Sequence, residues 1–175
     1  LNDGRTVSAR AVVIATGARP VMPEPFRALG DLVDTNETIF DRNELPRSLA
    51  VIGAGALGLE LAQALASLGV EVVVFERGER VGGVQDPVVH DELVRILRQC
   101  MTLHLGVDAS PSPGDGGVVI SWDGGSQCFD RVLVATGREP RLDGLRLDRT
   151  GLALNDRGVP VYDKHSMQCG DAPIF

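Results

Sequence analysis

The chain has 175 residues, a net charge of −7 and 43% hydrophobic residues. This acidic balance, with an isoelectric point near 4.9, argues against nucleic acid or an anionic membrane as a partner. No apolar run approaches the roughly 18 residues that a membrane span needs, and the chain opens on Leu1 without a signal-peptide pattern. We therefore expect a compact cytoplasmic protein with a real hydrophobic core.

The first part of the chain holds one short apolar run followed by an irregular stretch. Residues 11–14 are apolar and lead into Ala15-Thr16-Gly17-Ala18 and then Pro20. This pattern predicts a short strand that ends in a turn, because proline cannot continue a strand ladder. Residues 21–44 are polar and rich in turn formers, so we expect a connector there with one helical turn near residues 37–40.

The most informative segment has the pattern G-x-G-x-x-G at Gly53, Gly55 and Gly58. An apolar strand precedes the pattern, an apolar helix follows it, and a second strand over residues 70–75 ends at Glu76. Three glycines alone would be a weak signal, since glycine also marks ordinary turns. In this context they predict a dinucleotide-binding β-α-β unit, with an acid about 20 residues after the turn.

Each glycine has a separate role in such a unit. Gly53 permits the tight turn, Gly55 lets the backbone approach a pyrophosphate, and Gly58 lets the helix pack on the strand. The N-terminus of the helix then offers N–H groups and a positive dipole end to the phosphates.

Cofactor preference depends on the acid at the end of the second strand. Glu76 is expected to accept hydrogen bonds from the adenosine ribose and to repel a 2′-phosphate, which favours NAD(H) over NADP(H). Arg77 and Arg80 weaken that preference, because arginines there could bind a phosphate. A solvated acid at a strand end is the alternative interpretation of Glu76.

The remaining elements complete an α/β pattern. A helix over residues 57–68 ends at Gly69, and a second helix begins at Pro87 with Asp86 as its N-cap. The later predicted strands are Leu103-His104-Leu105, a hairpin of residues 118–122 and 127–129, and a last strand over residues 131–134.

The predicted fold class is therefore α/β, a three-layer Rossmann-like parallel sheet with an inserted antiparallel β-meander. The last part of the chain, residues 142–175, has no strong periodicity and holds one possible short strand over residues 159–162.

The cysteines and histidines form no pattern typical of a metal site, a disulfide framework or a nucleophile–base pair. They are widely spaced along the chain, at Cys100, Cys128, Cys169, His90, His104 and His165. We expect no metal, and we expect thiols that stay reduced in the cytosol.

A short repeated sequence lies on either side of the glycine motif. Ala15-Thr16-Gly17 recurs as Ala135-Thr136-Gly137, each time after an apolar run. With residues 45–53 and the tail Gly170-Asp171-Ala172-Pro173, this order of motifs resembles the flavoprotein disulfide reductases, and it looks closest to dihydrolipoamide dehydrogenase. The resemblance covers nearly all of the chain.

The resemblance implies roles for particular residues. The turn from Gly53 through Ala56 to Leu57 would wrap the NAD pyrophosphate, and Glu60 would lie near the nicotinamide and flavin. Glu60 could equally be an ordinary first-turn acid that complements the helix dipole. Ala109 would flank the adenine, Gly137 would approach the nicotinamide side, and a segment of the whole enzyme that touches FAD would include Thr16, Gly17 and Ala18.

The resemblance also implies a division of the chain. Residues 1–44 would end an FAD-domain portion, residues 45–140 would form the NAD-binding domain, and residues 141–175 would return to the FAD domain. The parent would pass electrons from a dithiol through a protein disulfide and FAD to NAD⁺, as a homodimer.

Several of the family's catalytic features are not found in these 175 residues. They hold no C-x-x-x-x-C, no second dinucleotide fingerprint and no His–Glu base, so the fragment alone is expected to be inactive. A transhydrogenase, a mercuric reductase or an NADH oxidase remains an alternative parent. A non-catalytic NAD(H)-sensing module is the alternative from a different class.

Overall fold

The computed structural model describes residues 4–175, so the first three residues of the predicted segment 1–44 lie outside it. In chain order the strands and α-helices are β1 Ala18–Pro20, α1 Glu24–Arg27, β2 Val33–Asp34, β3 Ser48–Ile52, α2 Ala56–Ser67, β4 Glu71–Glu76, α3 Pro87–Leu97, β5 Thr102–Leu105, β6 Ser110–Gly114, β7 Gly117–Trp122, β8 Gly125–Phe129, β9 Arg131–Val134 and β10 Arg138–Pro140. Short 3₁₀ turns cover Gly30–Leu32, Ile39–Asp41 and Leu147–Arg149.

The chain divides into two compact units. The larger unit is Pro20–Arg138, and the smaller one combines residues up to Arg19 with Glu139–Phe175. The larger unit thus begins earlier than residue 45, because the segment before β3 contributes a strand to its sheet. The assignment of these pieces to NAD-binding and FAD-binding domains stays a prediction.

The larger unit is built on a five-stranded sheet in the order β2-β9-β3-β4-β5. Every neighbouring pair in this sheet is parallel. The chain moves from β3 through α2, β4 and α3 to β5 on one side of β3, and later returns to place β9 on the other side. This reversal of direction beside β3 is the topological switch point of an open α/β sheet.

Alternating side chains give the sheet two buried faces. Leu49 and Val51 pack into the core under α2 and α3, whereas Ala50 and Ile52 pack toward the antiparallel sheet β6-β7-β8. Successive residues of a strand point to opposite faces, so both faces of a parallel sheet must be covered. The result is three layers, helices, parallel sheet and meander, which confirms the predicted fold class.

Helices α2 and α3 begin within one residue of the positions that their sequences indicate. Gly55 is the N-cap of α2 in extended conformation. The carboxylate of Asp86 caps α3 by accepting a hydrogen bond from the Val89 N–H at 3.1 Å, and proline occupies the first turn. An N-cap of this kind satisfies one N–H that the helix itself leaves unpaired.

The structure differs from the local predictions in several places. Residues 11–14 do not form a strand but a single parallel bridge between Val12 and Ile174, and residues 159–162 give only a bridge between Leu154 and Pro160. Strand β6 was not expected, because Ser-Pro-Ser-Pro-Gly lacks apolar alternation and carries two prolines. The connector holds α1 and β2 in addition to the 3₁₀ turn that overlaps the expected turn at 37–40.

A buried ion cluster fixes the connector to the sheet. Asp34 in β2 is fully buried. Its carboxylate accepts hydrogen bonds from Arg42 at 2.7 and 2.9 Å and from Arg131 at 2.6 Å. Both arginines also donate to the backbone oxygen of Asp31. A buried carboxylate is tolerated only when its charge is paired in this way.

Within the smaller unit, backbone hydrogen bonds join the early segment to the end of the chain. Val12 N–H donates to the oxygen of Pro173 at 2.9 Å, and Phe175 N–H donates to the oxygen of Val12 at 2.9 Å. Arg19 is paired with Glu139 at 2.6 Å and also with Asp143. Between residues 4 and 175, none of the helices has the length and apolar character required to cross a bilayer.

Candidate functional site

A cleft of about 720 Å³ opens in the larger unit at the carboxyl ends of β3, β4 and β9. This is the switch point described above, where open α/β sheets place their ligands. The lining residues come from the connector, the turn after β3, the end of β4, the loop after β5 and the turn after β9. They are Val21, Pro23, Pro25, Phe26, Ile52, Gly53, Gly55, Phe75, Glu76, Arg77, Val107, Asp108, Ala109, Ser110, Pro111, Ala135, Thr136 and Gly137.

Two of the three motif glycines are required by packing. Gly53 has a φ of +104°, and a Cβ there would lie 2.6 Å from the backbone oxygen of Ala135. A Cβ on Gly58 would lie 2.3 Å from the backbone oxygen of Gly53. No real Cβ approaches so closely, so the strand, turn and helix can meet only at glycine.

Gly55 differs from the other two. Its φ of −67° suits any residue, and a Cβ placed on it would meet no atom within 4 Å. The fold of this chain therefore gives no reason for glycine at this position. A ligand that lies against the backbone of the turn would give one, because a side chain would fill its space.

The N-terminus of α2 adds unpaired N–H groups at the same place. Gly55 has no side chain to cap the helix, and among the described residues no side-chain hydrogen bond caps it. The first internal bond of the helix runs from the Leu59 N–H to the Gly55 oxygen at 3.0 Å. The N–H groups of the first turn, from Ala56 to Gly58, therefore have no partner four residues back within the helix, and they follow directly on Gly55 at the positive end of the helix dipole, where anions bind favourably.

Glu76 is bound to the glycine turn. Its Oε2 accepts a hydrogen bond from the Ala54 N–H at 2.7 Å, and its Oε1 accepts one from the Gly78 N–H at 2.9 Å. Both oxygens keep a free lone pair, since a carboxylate has about four acceptor sites. Glu76 therefore organises the turn and still presents a negative charge to the cleft.

The two nearby arginines are both engaged. Arg77 Nε donates to Asp108 at 2.8 Å, and both side chains line the cleft. Arg80 donates to the backbone oxygen of Gln85 at 2.9 Å and is not among the lining residues. The expectation that arginines weaken the preference for NAD(H) given by Glu76 therefore applies only to Arg77.

An aromatic cluster lies beneath one wall of the cleft. Phe75, which lines the cleft, stacks on His104 at 5.2 Å and contacts Trp122 at 5.1 Å and Phe129 at 6.1 Å. The rings of His104 and Trp122 are 4.7 Å apart. Burial lowers the pKa of His104, because the charged imidazolium loses its hydration there.

The structure brings together six of the sequence-predicted site residues around the cleft, namely Gly53, Gly55, Glu76, Arg77, Ala109 and Gly137. It leaves four predicted NAD-site residues outside the lining. Ala56, Leu57 and Glu60 lie exposed on α2, and Gly58 is buried behind the turn. Thr16, Gly17 and Ala18 belong to the smaller unit.

Sequence reasoning missed two groups of lining residues. The connector contributes Val21, Pro23, Pro25 and Phe26, and the only sequence signal was an aromatic residue in a proline-rich stretch. The loop after β5 contributes Asp108, whose position depends on hydrogen bonds across the sheet. In the part of the chain that the structure describes, no group of three histidines, cysteines or acids could hold a metal ion.

The family described as pyridine nucleotide-disulphide oxidoreductase matches residues 1–175. A dihydrolipoyl dehydrogenase of Cupriavidus necator is 34% identical over 169 residues, which are 93% of this chain and 36% of that protein. A glutathione reductase of Burkholderia cepacia is 36% identical over 166 residues, again 93% of this chain and 36% of the relative.

Among solved structures, an HOCl-induced flavoprotein disulfide reductase from Escherichia coli, in a Cu(II) complex, superposes with a TM-score of 0.84. The two sequences are 27% identical, and the match covers 95% of this chain and 38% of the other. The chain spans about a third of the length of the curated relatives it matches. The family match, the identities and the parallel sheet with its glycine turn agree, and the chain belongs to the pyridine nucleotide-disulphide oxidoreductases.

Proposed function

We propose that the cleft binds the adenosine and pyrophosphate part of NAD(H). The observation that carries this proposal is the difference among the three glycines: Gly53 and Gly58 are required by packing, whereas Gly55 faces open space. Glycine at position 55 is accounted for by a ligand that approaches the backbone as closely as a pyrophosphate does. The first-turn N–H groups of α2 would then hold the phosphates.

NAD(H) is favoured over NADP(H) by charge. The charged side chains lining the cleft are Glu76, Arg77 and Asp108, so the lining carries one net negative charge. A 2′-phosphate would bring about two further negative charges against it, while ribose hydroxyls can donate to the free lone pairs of Glu76. The aromatic and apolar wall around Phe75 and Ala109 would suit the adenine ring.

The direct test is titration of the chain with NADH and with NADPH by calorimetry. We expect NADH to bind at least about tenfold more tightly, the smaller end of the effect of one charge-assisted hydrogen bond. A folded chain that binds neither nucleotide would overturn the proposal. A chain that binds NADPH as tightly would leave the site in place but remove its preference for NAD(H).

The whole protein's activity is also a proposal. Within the family, we infer a dithiol–disulfide oxidoreductase with FAD, similar to dihydrolipoyl dehydrogenase, in which nicotinamide accepts a hydride. This chain would orient the nucleotide, and Glu60 and Gly137 would lie toward the nicotinamide. Thr16, Gly17 and Ala18 would contribute to the flavin site, and a homodimer in the reducing cytoplasm is proposed from the same resemblance.

Substrate assays on the whole protein would test that proposal. The near-equal identities to a dihydrolipoyl dehydrogenase and a glutathione reductase make both dithiol classes suitable test substrates. We expect NAD⁺ reduction with dihydrolipoamide, no NADPH-dependent reduction of glutathione disulfide, and no activity from the 175-residue chain alone. Turnover of glutathione disulfide in place of dihydrolipoamide would replace the proposed substrate and leave the nucleotide site unaffected.

A further inference from the structure

We propose that Asp108 is a specificity-determining residue that disfavours a dinucleotide with a 2′-phosphate by keeping Arg77 engaged. This inference rests on the proposed NAD(H) site. Arg77 follows Glu76 directly at the end of β4, and it is the only cationic side chain among the described residues that line the cleft. An arginine at this point is the group that would accommodate a 2′-phosphate in a dinucleotide site. Here its Nε donates to the Asp108 carboxylate at 2.8 Å.

The backbone holds Asp108 in place for this contact. The loop after β5 is joined to the loop after β4 by two hydrogen bonds, from the Val107 N–H to the Glu76 oxygen and from the Gly106 N–H to the Gly78 oxygen, both at 3.0 Å. Asp108 follows directly after this double connection. Backbone hydrogen bonds therefore place Asp108 beside Arg77, and the contact does not depend on the side-chain conformation alone.

The Arg77–Asp108 pair affects phosphate binding through its charges, and it need not stabilise the fold to do so. The side chains of Arg77 and Asp108 are 80% and 70% exposed, and ion pairs this exposed contribute little to stability. Glu76 and Asp108 together outweigh the single guanidinium, so an incoming phosphate meets a net negative wall and an arginine already bound to a carboxylate. Without the Asp108 charge, the wall would be neutral and Arg77 would be free to form a charge-assisted bond to phosphate.

Asp108 offers a cleaner test than Glu76. The Glu76 carboxylate holds the N–H groups of Ala54 and Gly78, so its replacement would disturb the glycine turn together with the ribose contact. No hydrogen bond of the Asp108 side chain other than the one from Arg77 is seen in the described residues. Asp108→Asn keeps the shape and removes the charge, and it should leave the thermal unfolding midpoint unchanged.

The experiment compares wild type, Asp108→Asn, Arg77→Ala/Asp108→Asn and the control Glu92→Gln. The control removes a carboxylate that is also paired with an arginine, Arg95 at 2.6 Å, but lies on α3 away from the cleft. Each protein is titrated by calorimetry with NADH, NADPH, ADP and 2′,5′-ADP at low and moderate salt. The two smaller probes isolate the adenosine side of the site from the nicotinamide side.

We expect Asp108→Asn to bind NADPH and 2′,5′-ADP about tenfold more tightly, the effect of one charge-assisted contact. Its affinities for NADH and ADP should stay within about threefold, and the gain should shrink as salt rises. The gain should vanish in the double variant, and Glu92→Gln should match wild type.

The outcomes separate the inference from the function it rests on. An unchanged NADPH-to-NADH ratio in Asp108→Asn, or a gain that persists without Arg77, would overturn the role of Asp108 and leave the NAD(H) site standing. A folded wild type that binds none of the four probes would overturn both.

Discussion

The backbone N–H of Ala54 donates to Glu76 Oε2 at 2.7 Å, which ties the glycine turn after β3 to the end of β4. The residue expected to recognise the ribose thus also shapes the turn that would receive the phosphates. A change at Glu76 would therefore affect both the proposed ribose contact and the shape of the turn that would bind the pyrophosphate.

We predict that Glu76→Ala lowers both stability and NADH affinity. Two N–H groups, of Ala54 and Gly78, would lose their acceptor, at a cost of about 1–3 kcal/mol in the free energy of unfolding. Urea unfolding and NADH titration check the two effects. Glu71→Ala, at the opposite end of the same strand, serves as control, and a Glu76→Ala protein of unchanged stability would refute the structural half of this role.

Gly53 and Gly55 should respond differently to substitution. Gly55→Ala and Gly55→Val should fold with near wild-type stability but bind NADH at least about tenfold more weakly, since the new atoms would occupy ligand space. Gly53→Ala should lower the free energy of unfolding by about 1–3 kcal/mol, the usual cost of forcing a side chain into such a conformation. A loss of stability in Gly55→Ala as large as that in Gly53→Ala would contradict a ligand role for Gly55.

His104 should make stability depend on pH. Burial lowers its pKa in the folded state below the ordinary value of 6.5, so the unfolded chain binds the proton more readily. Stability is then fully present above that ordinary value and falls as pH drops through it toward the lower folded pKa. Denaturant unfolding between about pH 7 and about pH 5.5 measures this, in the range where unperturbed histidine titrates.

The control for that experiment is His104→Phe, which keeps a ring against Phe75 and Trp122. The variant should lose part of the slope of stability against pH in this range. A variant slope equal to that of wild type would show that another group causes the dependence.

Removal of the Asp34 carboxylate should be costly. Asp34→Ala would leave Arg42 and Arg131 without the carboxylate that they share at the edge of the sheet, and breaking such a buried cluster costs about 3–5 kcal/mol. Thermal and urea unfolding measure the loss. Glu92→Gln, which breaks the exposed ion pair with Arg95, is the reference for a small effect. A loss no larger than that of the reference would mean that the cluster does not hold β2 to β9.

The β3-α2-β4 unit could be predicted from sequence because each of its signals is local. An apolar strand, glycines at fixed spacing, a helix start and an acid at a strand end all lie within residues 48–76. The pair of Arg77 and Asp108 could not be predicted, since its members lie 31 positions apart and meet only through the parallel pairing of β4 with β5. Strand β6 was missed for another reason: Ser-Pro-Ser-Pro-Gly becomes a strand only by pairing with β7.

The pairing of β3 with β9 also has a kinetic consequence. Leu49 lies beside Arg131 in the sheet, and the Ala135 N–H closes on the Ile52 oxygen at 2.8 Å. The turn at Gly53 is therefore enclosed only after all the intervening chain has been synthesised and β9 has docked beside β3. Contacts of such long sequence separation slow folding, so a nascent chain can build the β-α-β half early, while a complete nucleotide cleft forms only once β9 is in place.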